Sequence, residues 1–450
     1  MAQELIISIS GMRGIIGENL FPSTAAEYAA AFGTYLRRTA GEGISVALGR
    51  DSRPSGMMLE SAVAAGLCSA GVNVIRLGIV TTPCVGVMLR HLKCTGGIVI
   101  TASHNPIPYN GIKLLLDNGI APPADKTALI RRMYFDKDIK YTASIDCGKA
   151  EDEGRTDDIH IDKVLALCDR DKIASRGYKI VLDAVNGAGG RIGSKLLETL
   201  GCEVVGMNLE PTGIFAHTPE PTAENLTGLC EAVPQHKADA GFAQDPDADR
   251  LAIVDERGTY IGEEYTLALA AKYVLSKTPG DVAVNLSTSR MIDTIADEYG
   301  CRVIRTPVGE ANVASAMLKN GCTIGGEGNG GIIDMRVGPV RDSLVAMALV
   351  LQYAAETGLA ISELVAGIQP FVMHKAKITV NKDKLEAMLD KAKQAFAQAR
   401  VNESDGCRFD LPEGWIHLRA SNTEPIVRVI VEAENDKTAK NYLDTTLSLS

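Results

Sequence analysis

No GxxxxGK[ST] motif occurs anywhere in the chain, which excludes a Walker phosphate loop. The glycines of NGAGGRIG (186–193) follow an apolar run, but Ile192 stands where a dinucleotide-binding fingerprint needs its third glycine. The ten cysteines, at 68, 84, 94, 147, 168, 202, 230, 301, 322 and 407, never form CxxC, and the seven histidines show no metal-ligand spacing. Neither zinc nor a disulfide framework is expected, and the cysteines read as mostly buried thiols. Aromatic residues make up only 5%, and the single tryptophan, Trp415, reads as a packing residue. No apolar run approaches the ~20 residues of a membrane span. The start, MAQELIISIS, lacks the basic and apolar regions of a signal peptide, so a soluble cytoplasmic protein is expected. With a formal charge of −10 there is no excess of cations for a nucleic acid or anionic membrane, although a local cationic pocket stays compatible with it.

What is present is enough for several cores: 450 residues, 46% hydrophobic and 23% charged. Three segments share one order of elements, a β-rich run, a small polar loop, an amphipathic stretch, then a glycine and a second β-rich run. They are ISVALGRDSRPSG to AGVNVIRLG, KIVLDAVNGAGG to LGCEVVGMN, and DVAVNLSTSR to YGCRVIRTPVG. Alternation of this kind predicts α/β units with largely parallel sheets, and its recurrence suggests three related domains. The last eighty or so residues instead read strand, helix, three strands, helix, a small α+β module. Polar or turn-rich joints at 147–158, 255–258 and 366–370 give four expected domains: 1–150, 155–255, 256–368 and 370–450.

Four stretches carry the residue types that chemistry requires. In TASHNPIPYN (101–110), Asn105, Pro106 and Pro108 turn the chain sharply after an apolar run, leaving the hydroxyl of Ser103 at a strand end, where α/β folds hold ligands. In AQDPDADRLAIVDERG, Asp245, Asp247 and Asp249 alternate, so their carboxylates can converge on a cation; all-oxygen ligands suit magnesium or calcium. An EF-hand needs glycine at its sixth position, where this chain has Arg250, and the following LAIV reads as a strand; a solvated acidic turn is the plainer alternative. In CTIGGEGNGGIID, glycines surround Glu327 and Asn329, groups suited to gripping hydroxyls, although a flexible hinge would have a similar composition. In WIHLRASNTEPIVRV, Arg419, Ser421, Asn422, Thr423 and Arg428 supply the guanidinium groups and small donors of an anion site. Arg13, flanked by glycines in ISGMRGIIG, and Lys113, close behind the serine loop, add cations. Together these point to phosphoryl transfer to or from a phosphorylated sugar.

TASHNP, DPDADR, GEGNGG and RASNTEP, in this order across nearly the whole chain, resemble the four signature loops of the α-D-phosphohexomutases. The resemblance implies three similar α/β domains with mixed sheets plus a C-terminal α+β domain around a central cleft. It further implies that Ser103, as phosphoserine, exchanges its phosphoryl group with a sugar monophosphate through a hexose 1,6-bisphosphate that reorients. Mg2+ would be held by Asp245, Asp247, Asp249 and an oxygen of Ser103 or its phosphate. Arg250 and Arg13 would stand near the transferring phosphate, while Lys113 and His104 would handle protons, Lys113 being the preferred general base. Glu327 and Asn329 would hold sugar hydroxyls; Arg419, Ser421, Asn422, Thr423 and Arg428 would clamp the idle phosphate. The expected partner is a small sugar phosphate, with no nucleic acid or membrane, and the chain is expected to be a monomer or homodimer.

Two departures matter. Many members end the sugar loop in Ser-Gly-His, where this chain has Asn329-Gly330-Gly331, and the usual Gly-Arg-Asp after it appears as Val340-Arg341-Asp342. The GEGNGG form and the short Met-Arg-Gly start resemble members assigned to glucosamine phosphate, with mannose or glucose phosphate as the alternative sugars. A sugar-phosphate phosphatase and a non-catalytic binding protein are the rivals from other classes.

Overall fold

The computed structural model describes residues 5–8, 11–379, 382–420 and 426–449. The first sheet has seven strands, β1 (Ile6–Ser8), β2 (Gly11–Ile15), β3 (Ser45–Arg50), β4 (Asn73–Ile79), β5 (Gly96–Ile100), β6 (Tyr109–Leu116) and β7 (Ala150–Asp152), in the order β1-β2-β6-β5-β3-β4-β7. Its centre, β5-β3-β4, is parallel, and β6 returns antiparallel to β5. The second sheet, β8 (Lys179–Asp183), β9 (Glu203–Met207), β10 (Ala240–Gln244) and β11 (Leu251–Asp255), is ordered β11-β10-β8-β9. Here too the parallel trio runs third, first, second, with the fourth strand antiparallel to the third. The trio recurs in β12 (Val282–Asn285), β13 (Val303–Thr306) and β14 (Ile324–Glu327), with β12 parallel to both others, and the short β15 (Gly331–Ile333) follows. The recurring order of elements is therefore a recurring topology, and the sheets are mixed as expected.

The C-terminal sheet is wholly antiparallel. Its strands β16 (Val372–Thr379), β17 (Arg400–Asn402), β18 (Cys407–Leu411), β19 (Gly414–Ala420) and β20 (Ile426–Ala433) are ordered β16-β20-β19-β18-β17. One face buries Phe409, Leu418, Val429 and Val431 against Met388 and Ala392 of the helix Lys382–Ala395 and against Phe396, which follows it. Trp415 is buried, donates to Glu432 Oε1 at 2.7 Å and lies 4.2 Å beneath the Arg408 guanidinium, a packing role with its one polar atom satisfied.

Two compact units emerge, Met1–Ala270 with Asn329–Val365, and Ala271–Gly328 with Ala366–Ser450. In the first, Leu20, Phe32, Val46, Leu48, Ile98 and Ile100 belong to one buried cluster; each such side chain stabilises by about 1.5–3 kcal/mol. The helix Ser343–Thr357 also belongs to this unit. Twelve of its fifteen residues are buried, and Asp342 caps it by accepting from the backbone N–H of Leu344 at 2.9 Å. Ser343 donates to the Ala248 carbonyl and Gln352 accepts from Asp169 N–H, tying the helix to the second sheet's segment. The glycines of NGAGG serve packing: a Cβ on Gly190 would stand 2.1 Å from the Leu209 carbonyl oxygen. All ten cysteines are free; five are buried, four partly buried and Cys147 exposed, so burial is less general than expected. Among the described residues no helix is long and apolar enough to cross a membrane.

Candidate active site

Strand β5 ends at Ile100 and β6 begins at Tyr109; the serine loop is the connection between them. Asp245, Asp247 and Asp249 lie in the corresponding connection between β10 and β11, and Glu327 is the last residue of β14. Three of the four sequence stretches therefore occupy one topological slot, the carboxyl end of the third strand of each trio.

Ser103 takes a left-handed backbone (φ +48°), as does Ala248 (φ +53°) in the aspartate turn. Each costs on the order of 1–2 kcal/mol for a residue with a Cβ, so the surroundings must enforce it. At Ser103 the enforcing group is Arg53, whose side chain is inaccessible to solvent. Its Nη1 donates to the carbonyls of Pro106 (2.8 Å) and Tyr109 (3.1 Å), and its Nη2 to those of Ser103 (2.6 Å) and Asn105 (2.6 Å). Its Nε donates to Asp51 at 3.0 Å, and the guanidinium stacks 4.9 Å from the ring centroid of Phe215. One guanidinium thus binds four carbonyls of the loop. Arg13 adds a bond from Nη1 to Asn105 Oδ1 at 3.1 Å; burial lowers its pKa, with Asp247 opposing.

The Ser103 hydroxyl donates to Asp245 Oδ2 at 3.0 Å and lies 3.4 Å from His104 Nδ1. Asp245 Oδ1 accepts the backbone N–H groups of Asp249 and Arg250, closing the turn on itself. Asp247 Oδ2 accepts from Lys113 Nζ at 2.9 Å and from the Thr82 hydroxyl at 2.6 Å. Asp249 Oδ2 accepts from Arg341 Nη2 at 2.5 Å. Arg250 donates from Nη2 to His104 Nδ1 at 3.1 Å, with its Nε 3.9 Å from Asp245 and 3.7 Å from Asp249. Ser103, His104, Lys113, Arg13, Arg250 and the aspartates are thus brought together.

The three aspartates offer carboxylate oxygens within 4.8 Å of one another, all buried. Burial and the charges of Asp249 and Asp247 push Asp245 well above the usual carboxylate range. Burial also works to raise Asp247, but Lys113, the Thr82 hydroxyl and Arg341 hold it below that range. Oδ1 of Asp247 and Oδ1 of Asp249 are buried without a hydrogen-bond partner. Unsatisfied buried anionic oxygens, converging with a hydroxyl, fit a small oxygen-liganded divalent cation. His104 is pushed down to about 3 by burial and by the Arg250 and Arg13 charges, so its ring is neutral near pH 7.

Of the sugar-loop residues, Asn329 has a buried Oδ1 with no hydrogen-bond partner among the described residues, leaving an acceptor for a ligand. A Cβ on Gly331 would lie 2.2 Å from Arg341 Cδ, so the side chain that reaches Asp249 occupies the space a residue at 331 would need. In the second unit, buried Glu327 accepts at Oε1 from Asn285 Nδ2 (2.8 Å) and from the backbone N–H of Gly309 (3.0 Å). Arg419 lies on β19 and donates from Nε to Asp405 at 3.1 Å; Arg428 is its exposed cross-strand neighbour on β20. Ser421, Asn422 and Thr423 lie outside the described residues. Sequence reasoning missed Arg53, Thr82, Arg341 and Asp405. The string GRDSR at 49–53 displays Arg53, but nothing local says that its partners lie some fifty residues on.

Comparison with known proteins covers nearly the whole chain. Residues 5–140, 158–258 and 263–371 match alpha/beta/alpha domains I, II and III of the phosphoglucomutase/phosphomannomutase family, and residues 376–448 match its C-terminal domain. A protein of Thermococcus kodakarensis named phosphoglucomutase/phosphomannomutase is 39% identical over 447 residues, 98% of this chain and 97% of the relative. A "Probable phosphoglucosamine mutase" of Methanopyrus kandleri is 36% identical, covering 97% of this chain and 95% of its own. The crystal structure of a phosphoglucomutase/phosphomannomutase family protein from Burkholderia thailandensis aligns with a TM-score of 0.88 at 29% identity, covering 99% of this chain and 97% of that one.

Proposed function

The chain belongs to the phosphoglucomutase/phosphomannomutase family and is a phosphohexomutase, and from that premise we propose that Ser103 is its phosphoryl carrier and glucosamine phosphate its sugar. The observation that carries the first part is the Ser103 hydroxyl, 3.0 Å from Asp245, in a loop whose strained backbone is held by Arg53. A rigidly mounted oxygen beside a carboxylate trio is what a reusable acceptor requires.

In the forward half, an oxygen of the sugar monophosphate forms a bond to the phosphorus of phosphoserine as the bond from phosphorus to Ser103 Oγ breaks. The proton of the attacking hydroxyl passes to a base on the enzyme. In the returning half the other phosphate of the hexose 1,6-bisphosphate is transferred to Ser103 by the reverse steps, so atoms and charge balance over the cycle. Lys113, whose Nζ lies 2.9 Å from Asp247 Oδ2 beside the trio, is the preferred group for that proton transfer. His104 Nδ1 lies 3.4 Å from the hydroxyl and accepts from Arg250 Nη2, and burial with the neighbouring cations keeps its ring neutral, so it orients the hydroxyl. Arg13 and Arg250 neutralise the transferring group. Asp245, Asp247 and Asp249, with a Ser103 oxygen, would hold Mg2+, which when bound supplies Lewis-acid stabilisation of the phosphoryl oxygens. Glu327 and Asn329 grip the sugar, and Arg419 with Arg428, Ser421, Asn422 and Thr423 clamps the idle phosphate.

The preference for glucosamine rests on the buried Glu327 carboxylate, which can pair with a protonated 2-amino group, and on relatives such as the Methanopyrus protein. The relatives' names divide between sugars, so the test is a parallel mutase assay with glucosamine, mannose and glucose phosphates, each primed with its bisphosphate. A kcat/KM for glucosamine phosphate no higher than for the others refutes that preference. Ser103→Ala is expected to abolish phosphoenzyme formation, read by intact mass, while sugar-phosphate binding remains measurable by calorimetry. Full activity in that variant overturns the carrier assignment.

A further inference from the structure

Asp405 lies in the turn between β17 and β18, and that turn is pressed onto β19. Gly406 has φ +66°, and a Cβ there would stand 2.1 Å from the Leu418 carbonyl oxygen, so no other residue fits without displacement. The carboxylate thus fixed makes two bonds through one oxygen. Oδ2 accepts from Arg419 Nε at 3.1 Å and from the backbone N–H of Val308 at 3.0 Å. The next residue, Gly309, donates its N–H to Glu327 Oε1 at 3.0 Å.

A second route closes the circle. The Asp405 carbonyl accepts from His417 Nε2 at 2.8 Å, and His417 Nδ1 is 2.9 Å from the Ser287 hydroxyl. Ser287 N–H donates to Asn285 Oδ1 at 2.8 Å, and Asn285 Nδ2 donates to Glu327 Oε1 at 2.8 Å. His417 is pushed down to about 4, chiefly by burial, so the ring is neutral and can donate from one nitrogen while accepting at the other. Every bond in this ring lies within one compact unit.

We infer that Asp405 is a positioning residue that couples the guanidinium of Arg419 to the carboxylate of Glu327. The inference rests on the reading above, in which Arg419 meets a phosphate and Glu327 a sugar hydroxyl or amine. A planar guanidinium held by its Nε edge has its remaining fork oriented, and a phosphate bound on that fork pulls on the same carboxylate that anchors Val308. Because Val308 and Gly309 are consecutive, displacement at one end of the ring reaches Glu327. Anion binding and sugar recognition then become a single cooperative event.

The test is a double-mutant cycle of Asp405→Ala with Glu327→Gln in the full chain, using glucosamine 6-phosphate and inorganic phosphate as probes. Asp405→Ala is expected to raise KM for the sugar phosphate about tenfold or more while changing kcat less. The double variant should lose at least about fivefold less than the product of the single losses. Asp405→Asn, which keeps an oxygen for the Val308 N–H, should recover part of the affinity, and its cycle serves if the alanine variant does not fold. Strict additivity, or a KM within twofold of the parent, overturns the inference; failure of both variants to fold assigns Asp405 a purely structural role and does the same. A parent chain that binds neither probe instead refutes the functional reading, a separate result.

Discussion

At the scale of single residues, the side chains of the serine loop are only half of its design. Arg53 binds the carbonyls of Ser103, Asn105, Pro106 and Tyr109, so the loop is shaped through its backbone by a residue in another segment. Lysine offers one ammonium in place of a planar fork and cannot reproduce that set. Arg53→Lys is therefore expected to lower kcat by about tenfold to a hundredfold with KM little changed, since a small misplacement of a reacting oxygen is costly. Steady-state kinetics with the phosphorylation level of Ser103 checks this, and a parental kcat refutes it. Ser103 and the aspartates were legible in the sequence because their chemistry demands those residue types in short strings. Arg53, Arg341 and Asp405 were not, because an arginine or aspartate acting across fifty to a hundred residues has no local signature. The left-handed φ of Ser103 was equally hidden, because such backbones are usually glycine's.

At the scale of elements, legibility followed burial and length. The first two strands of each parallel trio, β5 and the long C-terminal strands are apolar or alternating runs and were read as strands, whereas β10 and β14, rich in alanine and glycine, were not. The edge strands β1, β7 and β17, three residues each, are too short to show a period. The helix Ser343–Thr357 was not read from the sequence; its largely apolar surface marks a buried element without saying against what it packs. Its place depends on Asp342, which caps it and pairs with fully buried His160 at 2.6 Å. Burial works to lower the His160 pKa, but the Asp342 charge outweighs it and the imidazole is pushed up to about 10. A pKa raised above the ordinary 6.5 contributes stability that is complete below that value and is lost as pH rises through about 10. Urea unfolding of the parent should accordingly show stability falling across that alkaline window. In His160→Gln the slope should flatten, with a loss near neutral pH of about 3–5 kcal/mol from the unpaired buried Asp342. A variant with an unchanged alkaline slope would show that the pair is not charged.

For the molecule as a whole, the aspartate trio is a cost of folding that a bound cation would relieve. Three buried carboxylates repel one another, and the cations beside them, Lys113, Arg250 and Arg341, neutralise them without satisfying every oxygen. Magnesium that binds the folded chain should raise the melting temperature by about 2 °C or more at saturation. Asp247→Asn should abolish that response and slow turnover at least ~100-fold, read by melting and by kcat across a magnesium titration. A chain indifferent to magnesium in both measurements refutes the metal site. The repeated trio also has a bearing on ancestry. Under the proposed roles, each loop is mounted at the exit of its own sheet, so mutations that retune sugar choice at the end of β14 need not disturb the hydroxyl after β5. Such a layout lets selection try new substrates on one mount while the transfer chemistry is inherited intact on another.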